Sequence, residues 1–415
     1  MCSVKCCSFF IVIHFYFAEI SAQPVLRPFP QHSQYFNGTI KPNHIPQQQM
    51  DDTVCLFYNR WKERYIKDDA GDEKYYVWVK GSAGNNQCVS EGQGYGMMIV
   101  ALMAGYDSSS HKIYDGLFHY YKHHPSKNSP YLMAWAQTKY FTDVDGSSAT
   151  DGDMDIAYSL LLANDQWGSK GTINYLNEAK GMINAIAEQE INPVTFSVML
   201  SNSVEHDSKD YFDMRSSDFM PSHFRSFAMV VKDSTWSKAI DANYKLFNFL
   251  QNRYSEDAGL LPDFIQHINS TARPAYAMYK ESKYDGCYNY NACRVPWRIA
   301  TDFILYGDQR SKMIVEKINH WIMETTQGIP DNISAGYTLA ADDIKARNFE
   351  AMSFIASFAV SAMVDSKNQE WLNNQWDYIT GFNLDQYDYY DNTIKMISLI
   401  ILSGNYVAPF EQADY

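Results

Sequence analysis

The 415-residue chain carries 34 basic and 48 acidic side chains, a net charge of −14, with 46% of residues hydrophobic and 20% charged. That apolar content excludes a disordered chain, and Gly 21 with Pro 14 is too little for a collagen-like or low-complexity one. The acidic surplus repels phosphate and argues against a nucleic-acid partner, while the length suits one large domain or two average ones with a substantial core.

In chain order, residues 1–22 read separately from the rest. A short stretch with one Lys precedes the apolar run Phe9 to Ala18, and Ile20-Ser21-Ala22 ends in small residues. This is the layout of a secretory signal, since the apolar run is nearer ten residues than the ~20 of a spanning helix. The remaining chain is expected to be secreted (periplasmic in a bacterium) with no membrane partner. Residues 23–50 hold Pro24, Pro28, Pro30, Pro42 and Pro46 and predict an extended arm.

From residue 51 to 415, helical periodicity takes over. Ile173, Leu176, Ala179, Ile183 and Ile186 mark one helix face, and Trp236, Ile240, Phe247 and Leu250 mark another behind an Asp233 or Ser234 cap. Similar stretches begin near Asp51, Gly92, Lys112, Asp153, His223, Ala292, Gln309, Asn348, Asn368 and Asp391. They predict an all-α domain of about twelve helices, as a double ring or an open array. With no fixed repeat period in the sequence, a closed α/α barrel is the better expectation.

Without residues 1–22, Cys55, Cys88, Cys287 and Cys293 remain, compatible with one or two disulfides in any of three full pairings. No His stands at ligand spacing from them, so no metal or other cofactor is expected. Asn37, Asn269 and Asn332 open glycosylation sequons.

Three acid-bearing segments stand out. In Ser90-Glu-Gly-Gln-Gly-Tyr-Gly-Met97, Glu91 sits among glycines at a helix start. The glycines admit either close approach of a ligand or tight helix packing, and Ser90 with Glu91 serves equally as a cap. The helix dipole favours the ionised form of Glu91, so an acid role requires burial or a second carboxylate to raise its pKa. Asp151, Asp153 and Asp155 alternate at another helix start, in excess of what a cap needs, and suggest an acidic pocket floor. The third segment runs from Tyr284 to Arg298 with Glu281 upstream. Its Tyr, Asn and Arg residues and Trp297 supply the hydrogen-bonding groups and stacking faces of a sugar site. In a fourth segment, Asp218, His223 and Arg225 are expected to pair with one another as scaffolding.

In combination these segments resemble glycoside hydrolase family 8. The family signature is matched from Ala149 to Ser159, followed by Ala163 and Trp167. Ser90 to Met97, Asp218 to Arg225 and Ala292 to Arg298 fall in family order, so that the resemblance spans about Gln23 to Asn405.

The resemblance implies an (α/α)6 barrel, inversion of anomeric configuration and cleavage inside β-1,4-linked polysaccharides. Carried over by motif, Glu91 is similar to the proton donor and Asp151 to the acid that binds the sugar at the cleavage point. Asp153 is kept as a neighbour able to exchange roles with Asp151. Arg294 resembles the arginine beside the base motif, and Trp135 a stacking platform, with Tyr290 and Asn291 as further substrate contacts. Many members carry an aspartate base directly before the Ala-x-Arg triplet, where this chain has Asn291. It therefore resembles the subgroup whose base lies on an upstream loop, which points to Glu281, with Asp285 in reserve.

The expected protein is a monomeric endo-glycanase acting on cellulose or mixed-linkage β-glucan. Chitosan is the alternative substrate, and a carbohydrate-binding protein without catalysis the rival from another class.

Overall fold

The computed structural model describes residues 25–79 and 85–410, so the expected signal at 1–22 lies outside the described residues. Twelve α-helices occur among them: α1 (Gln47–Tyr65), α2 (Ser90–Leu102), α3 (Ser110–His123), α4 (Thr150–Trp167), α5 (Tyr175–Gln189), α6 (Pro221–Val231), α7 (Ser234–Tyr254), α8 (Val295–Tyr306), α9 (Gln309–Thr326), α10 (Met352–Ala362), α11 (Gln369–Thr380) and α12 (Tyr389–Leu402). The even-numbered helices pack in succession, α2 on α4, α4 on α6 and so on to α12, which also touches α2. Each odd-numbered helix covers a neighbour: α1 lies on α12, α3 on α2, α5 on α4, α7 on α6, α9 on α8 and α11 on α10.

Burial explains the two kinds of helix. Every residue of α10 is buried, as is every residue of α2 except Glu91. Such helices are apolar on all sides because neighbours surround them. In contrast, α5 buries Ala179, Met182, Ile183 and Ile186 along one stripe, and α7 does the same with Trp236, Ile240, Phe247 and Leu250. Asp233 caps α7 by accepting the Thr235 N–H at 2.9 Å. Among the described residues strands are short and form four small sheets, as the scarcity of alternating patterns implies.

The arm is extended up to α1, which begins at Gln47, inside the expected 23–50 span. It crosses one end of the helix set. The amides of Leu26, Phe29, Ser33, Phe36 and Ile40 donate to Gln166, Ala104, Gly404, Ile304 and Met363, at or just beyond the carboxyl ends of α4, α2, α12, α8 and α10. Carbonyls that a helix leaves unpaired are thus satisfied. The amino ends of the same helices are left to form the site.

Glycines at those amino ends serve helix contact. A Cβ on Gly94 would lie 2.7 Å from Cβ of Asp155, and one on Gly152 would lie 2.5 Å from the Ser90 carbonyl carbon. So α2 and α4 approach as only glycine permits, and of the two readings of the Ser90–Met97 glycines, tight packing is the one seen. The four cysteines among the described residues are free thiols, with no disulfide between them.

Candidate active site

A cleft of about 870 Å³ opens at the amino ends of α2, α4 and α12, and Glu91, Trp135, Asp151, Glu281, Tyr290 and Asn291 all line it. Glu91 occupies the first turn of α2, within hydrogen-bond reach of Arg294 in the segment just before α8. Burial raises its pKa to about 7, although the Arg294 guanidinium opposes the rise. The condition that an acid role places on Glu91 is therefore met by desolvation, which outweighs the arginine.

Asp151 stands at the start of α4 and is buried more completely than Glu91, yet its pKa falls to about 2. Burial alone would raise it; the guanidinium groups of Arg215 and Arg294 more than compensate. Arg294 Nη1 donates to Glu91 Oε2 at 2.9 Å and to Asp151 Oδ2 at 2.7 Å. One cation thus holds two carboxyl groups whose pKa values are driven apart, the arrangement that assigns an acid and an anion to one site.

The same arginine reaches further. Its Nη2 donates to Asn291 Oδ1 at 3.0 Å, and Asn291 Nδ2 donates to Glu281 Oε2 at 2.8 Å. Arg215 holds the other Glu281 oxygen at 3.4 Å and also pairs with Asp218 at 3.3 Å. Below Asn291, the buried Asp263 accepts the main-chain N–H groups of Asn289 and Ala292 at 3.0 and 2.7 Å, which fixes the turn leading into α8.

Trp135 is half-buried and turned into the cleft, its indole N–H given to Asp145 at 2.9 Å. Tyr290 donates to the Glu350 carbonyl at 3.1 Å, with the Lys345 ammonium 4.2 Å from its ring centroid.

Several expectations need correction. Asp153 does not reach the cleft: it is fully buried and accepts the Met133 N–H at 2.8 Å. Its pKa is pushed well up by burial and by the buried Glu190 beside it, and Glu190 is itself raised to about 7 by burial. The two carboxyl groups act as a partly protonated pair joining α4 to the end of α5. Asp285 is also fully buried and turned into its own loop. Trp297 offers no stacking face, being 1% exposed with Arg298 over its ring. Asp218, His223 and Arg225 do not pair together. Asp218 pairs with Arg215, His223 with Asp155 at 3.0 Å, and Arg225 with Asp302 and Asp308 at 2.5 Å.

Other lining residues had no distinguishing sequence signal. Trp78 follows an ordinary apolar pair, and Glu350, Asp385, Asp388 and Asp391 belong to the far end of the chain. Arg215 stands three residues before Asp218 of the fourth segment, which is the one clue to it. Among the described residues no group of three or more His, Cys, Asp or Glu is arranged to hold a metal ion, and no helix is long and apolar enough to cross a membrane.

Comparison with known proteins identifies the family. The model of the glycosyl hydrolases family 8 matches residues 48–404. The chain is 43% identical to a β-glucanase of Niallia circulans over 405 residues, 97% of this chain and 96% of that protein. It is 38% identical to an endoglucanase of Bacillus sp. (strain KSM-330) over 406 residues, covering 92% and 82%. The apo structure of a β-1,3-1,4-glucanase from Paenibacillus sp. X4 superposes with a TM-score of 0.88 at 44% identity, covering 92% of this chain and 99% of the other. With a match over most of its length and relatives this similar, the chain belongs to the glycosyl hydrolases family 8 and is a glycoside hydrolase.

Proposed function

We propose that this hydrolase is a secreted, monomeric, inverting endo-glucanase that cleaves internal β-1,4 bonds of cellulose or mixed-linkage β-glucan, with Glu91 as general acid and Glu281 as general base. The names of its relatives, β-glucanase and endoglucanase, support the substrate class. The unbroken succession of helix contacts from α2 round to α12 and back supports a closed (α/α)6 barrel.

One observation carries the mechanism: the relay Glu91–Arg294–Asn291–Glu281 across a single cleft. An inverting reaction needs a protonated carboxyl at the departing oxygen and an ionised one that takes a proton from water on the opposite face. Inverting pairs stand ~6.5–9.5 Å apart against the ~5–5.5 Å of retaining ones, and here the two carboxyls are linked through Arg294 and Asn291. Glu91, neutral up to about pH 7, holds the proton to be donated. Asp151, ionised above about pH 2, offers negative charge to the oxocarbenium-like ring. Asn291, a neutral amide, cannot accept a proton from water; it donates to Glu281 instead, and this supports membership of the subgroup with a displaced base.

Glu281→Ala is expected to lose turnover and to regain it with azide, which takes the place of the activated water. An active Glu281→Ala beside an inactive Asp285→Ala would reverse the assignment. The acid-rich lining, with Glu350, Asp385, Asp388 and Asp391 added to the relay carboxyls, favours chitosan as a second reading. Reducing-sugar release from carboxymethyl cellulose, lichenan and chitosan side by side decides between them. Tight binding by the wild type without any product would favour the carbohydrate-binding protein.

A further inference from the structure

Glu281 presents a physical problem that its proposed role does not solve. Its side chain is 50% exposed, so packing does not hold it, and it stands on a loop with no regular structure of its own. A base must be fixed to a fraction of an ångström, since about 1 Å of misplacement is enough to lose roughly 100-fold in rate. The loop contains a device suited to that purpose. Asp285 Oδ2 accepts the main-chain N–H groups of Lys280 at 2.6 Å and Glu281 at 3.0 Å, while Oδ1 accepts the Ser282 N–H at 2.7 Å and its hydroxyl at 3.3 Å. Three consecutive amides therefore converge on one buried carboxyl.

The carboxyl also joins the loop to the rest of the site. The Asp285 carbonyl accepts the Phe264 N–H at 2.9 Å. Phe264 lies opposite Arg215 in an antiparallel strand pair. Arg215 in turn donates to Glu281 Oε1. The backbone of Glu281, the side chain and backbone of Asp285, the strand pair and the Arg215 side chain thus form a closed circuit that returns to the Glu281 carboxyl. Asp285 itself is fully buried, lies outside the cleft lining and has both oxygens occupied, so it does not meet a sugar.

We propose that Asp285 is the positioning residue for Glu281, acting on the reaction only through the geometry of the base loop. The proposal rests on the reading of Glu281 as the base, and the following experiment separates the two. Asp285→Ala, Asp285→Asn, Glu281→Ala and the double variant Glu281→Ala/Asp285→Ala are compared on lichenan for kcat, KM, thermal transition and azide response. Asp285→Ala is expected to lower kcat about 100-fold with KM within threefold. Asp285→Asn should lose less, because its amide nitrogen opposes N–H donors on one side only. The double variant should turn over no more slowly than Glu281→Ala, and azide should accelerate both equally, since azide does not depend on the loop.

An inactive Glu281→Ala beside a normal Asp285→Ala would overturn the positioning role while leaving the base assignment intact. A normal Glu281→Ala would overturn the base assignment and this inference with it. An equal loss from Asp285→Ala in both backgrounds would show an action independent of Glu281. Should Asp285→Ala lack a cooperative thermal transition, Asp285→Asn is read in its place; if that variant also fails to fold, Asp285 is a determinant of folding and the proposal is overturned.

Discussion

Replacing Glu91 by Gln separates the chemical role of that side chain from what its burial does to stability. In the folded protein the Glu91 pKa stands at about 7 against an ordinary 4.5, and desolvation is the largest cause. A carboxyl raised in this way favours the folded state fully below about pH 4.5, and that contribution is lost as pH rises through about 7. The difference corresponds to about 3 kcal/mol. Gln cannot ionise, so the variant escapes the loss. At the usual unfolding entropy of about 2.1 cal/mol/K per residue, a chain of this length converts that into a Tm advantage of about 3–4 °C. The variant should match the wild type near pH 4.5 and exceed it by that margin at pH 8, measured by calorimetry in a low-salt buffer series. Turnover should fall by several orders of magnitude with little change in oligosaccharide binding. The wild-type kcat should decline with an alkaline limb near pH 7. A constant Tm difference between pH 4.5 and 8, or undiminished wild-type activity well above pH 8, would refute desolvation as the source of the proton donor.

Three further outcomes follow from other parts of the structure. Trp135→Ala removes an aromatic face from the cleft and is expected to lower kcat/KM roughly 10- to 150-fold, the equivalent of about 1.5–3 kcal/mol of lost burial, with Tm nearly unchanged; a change below twofold on lichenan would exclude it as a platform. Glu190→Gln should gain stability over the wild type as pH rises from about 4.5 to 7, because Glu190 is raised to about 7 by burial and its amide replacement supplies Asp153 with a hydrogen that does not titrate. Equal Tm values at pH 8.5 would count against the shared-proton pair. Since all four described cysteines are free, dithiothreitol should leave Tm unmoved, whereas loss of a disulfide would remove about 3 kcal/mol.

Much of the fold was legible because helix burial leaves a period. The α5 and α7 stripes were readable, and of the two α7 caps on offer, Asp233 and Ser234, the structure uses Asp233. The boundaries were less so: Ile173 precedes α5, and α1 begins within the expected arm. At the site, Glu91, Asp151 and Arg294 each sit in a dense local motif, and all three prove to share hydrogen bonds. Asp153 was misread because three alternating acids look equivalent along the chain. On a helix they are not, since steps of two residues turn the side chains through about 200°. Asp151 faces the cleft, Asp153 meets Glu190 and Asp155 meets Arg298 and His223.

Local composition by itself determined which segments are helices and which carry chemistry, because periodicity, caps and acid clusters are properties of neighbouring residues. The tertiary structure alone decided which charges meet. Arg294 lies 203 positions from Glu91 and 143 from Asp151, and no local pattern encodes that approach. Burial then set the protonation states, raising Glu91 and allowing two guanidinium groups to hold Asp151 down, because desolvation depends on everything packed around a carboxyl and not on its neighbours in the chain.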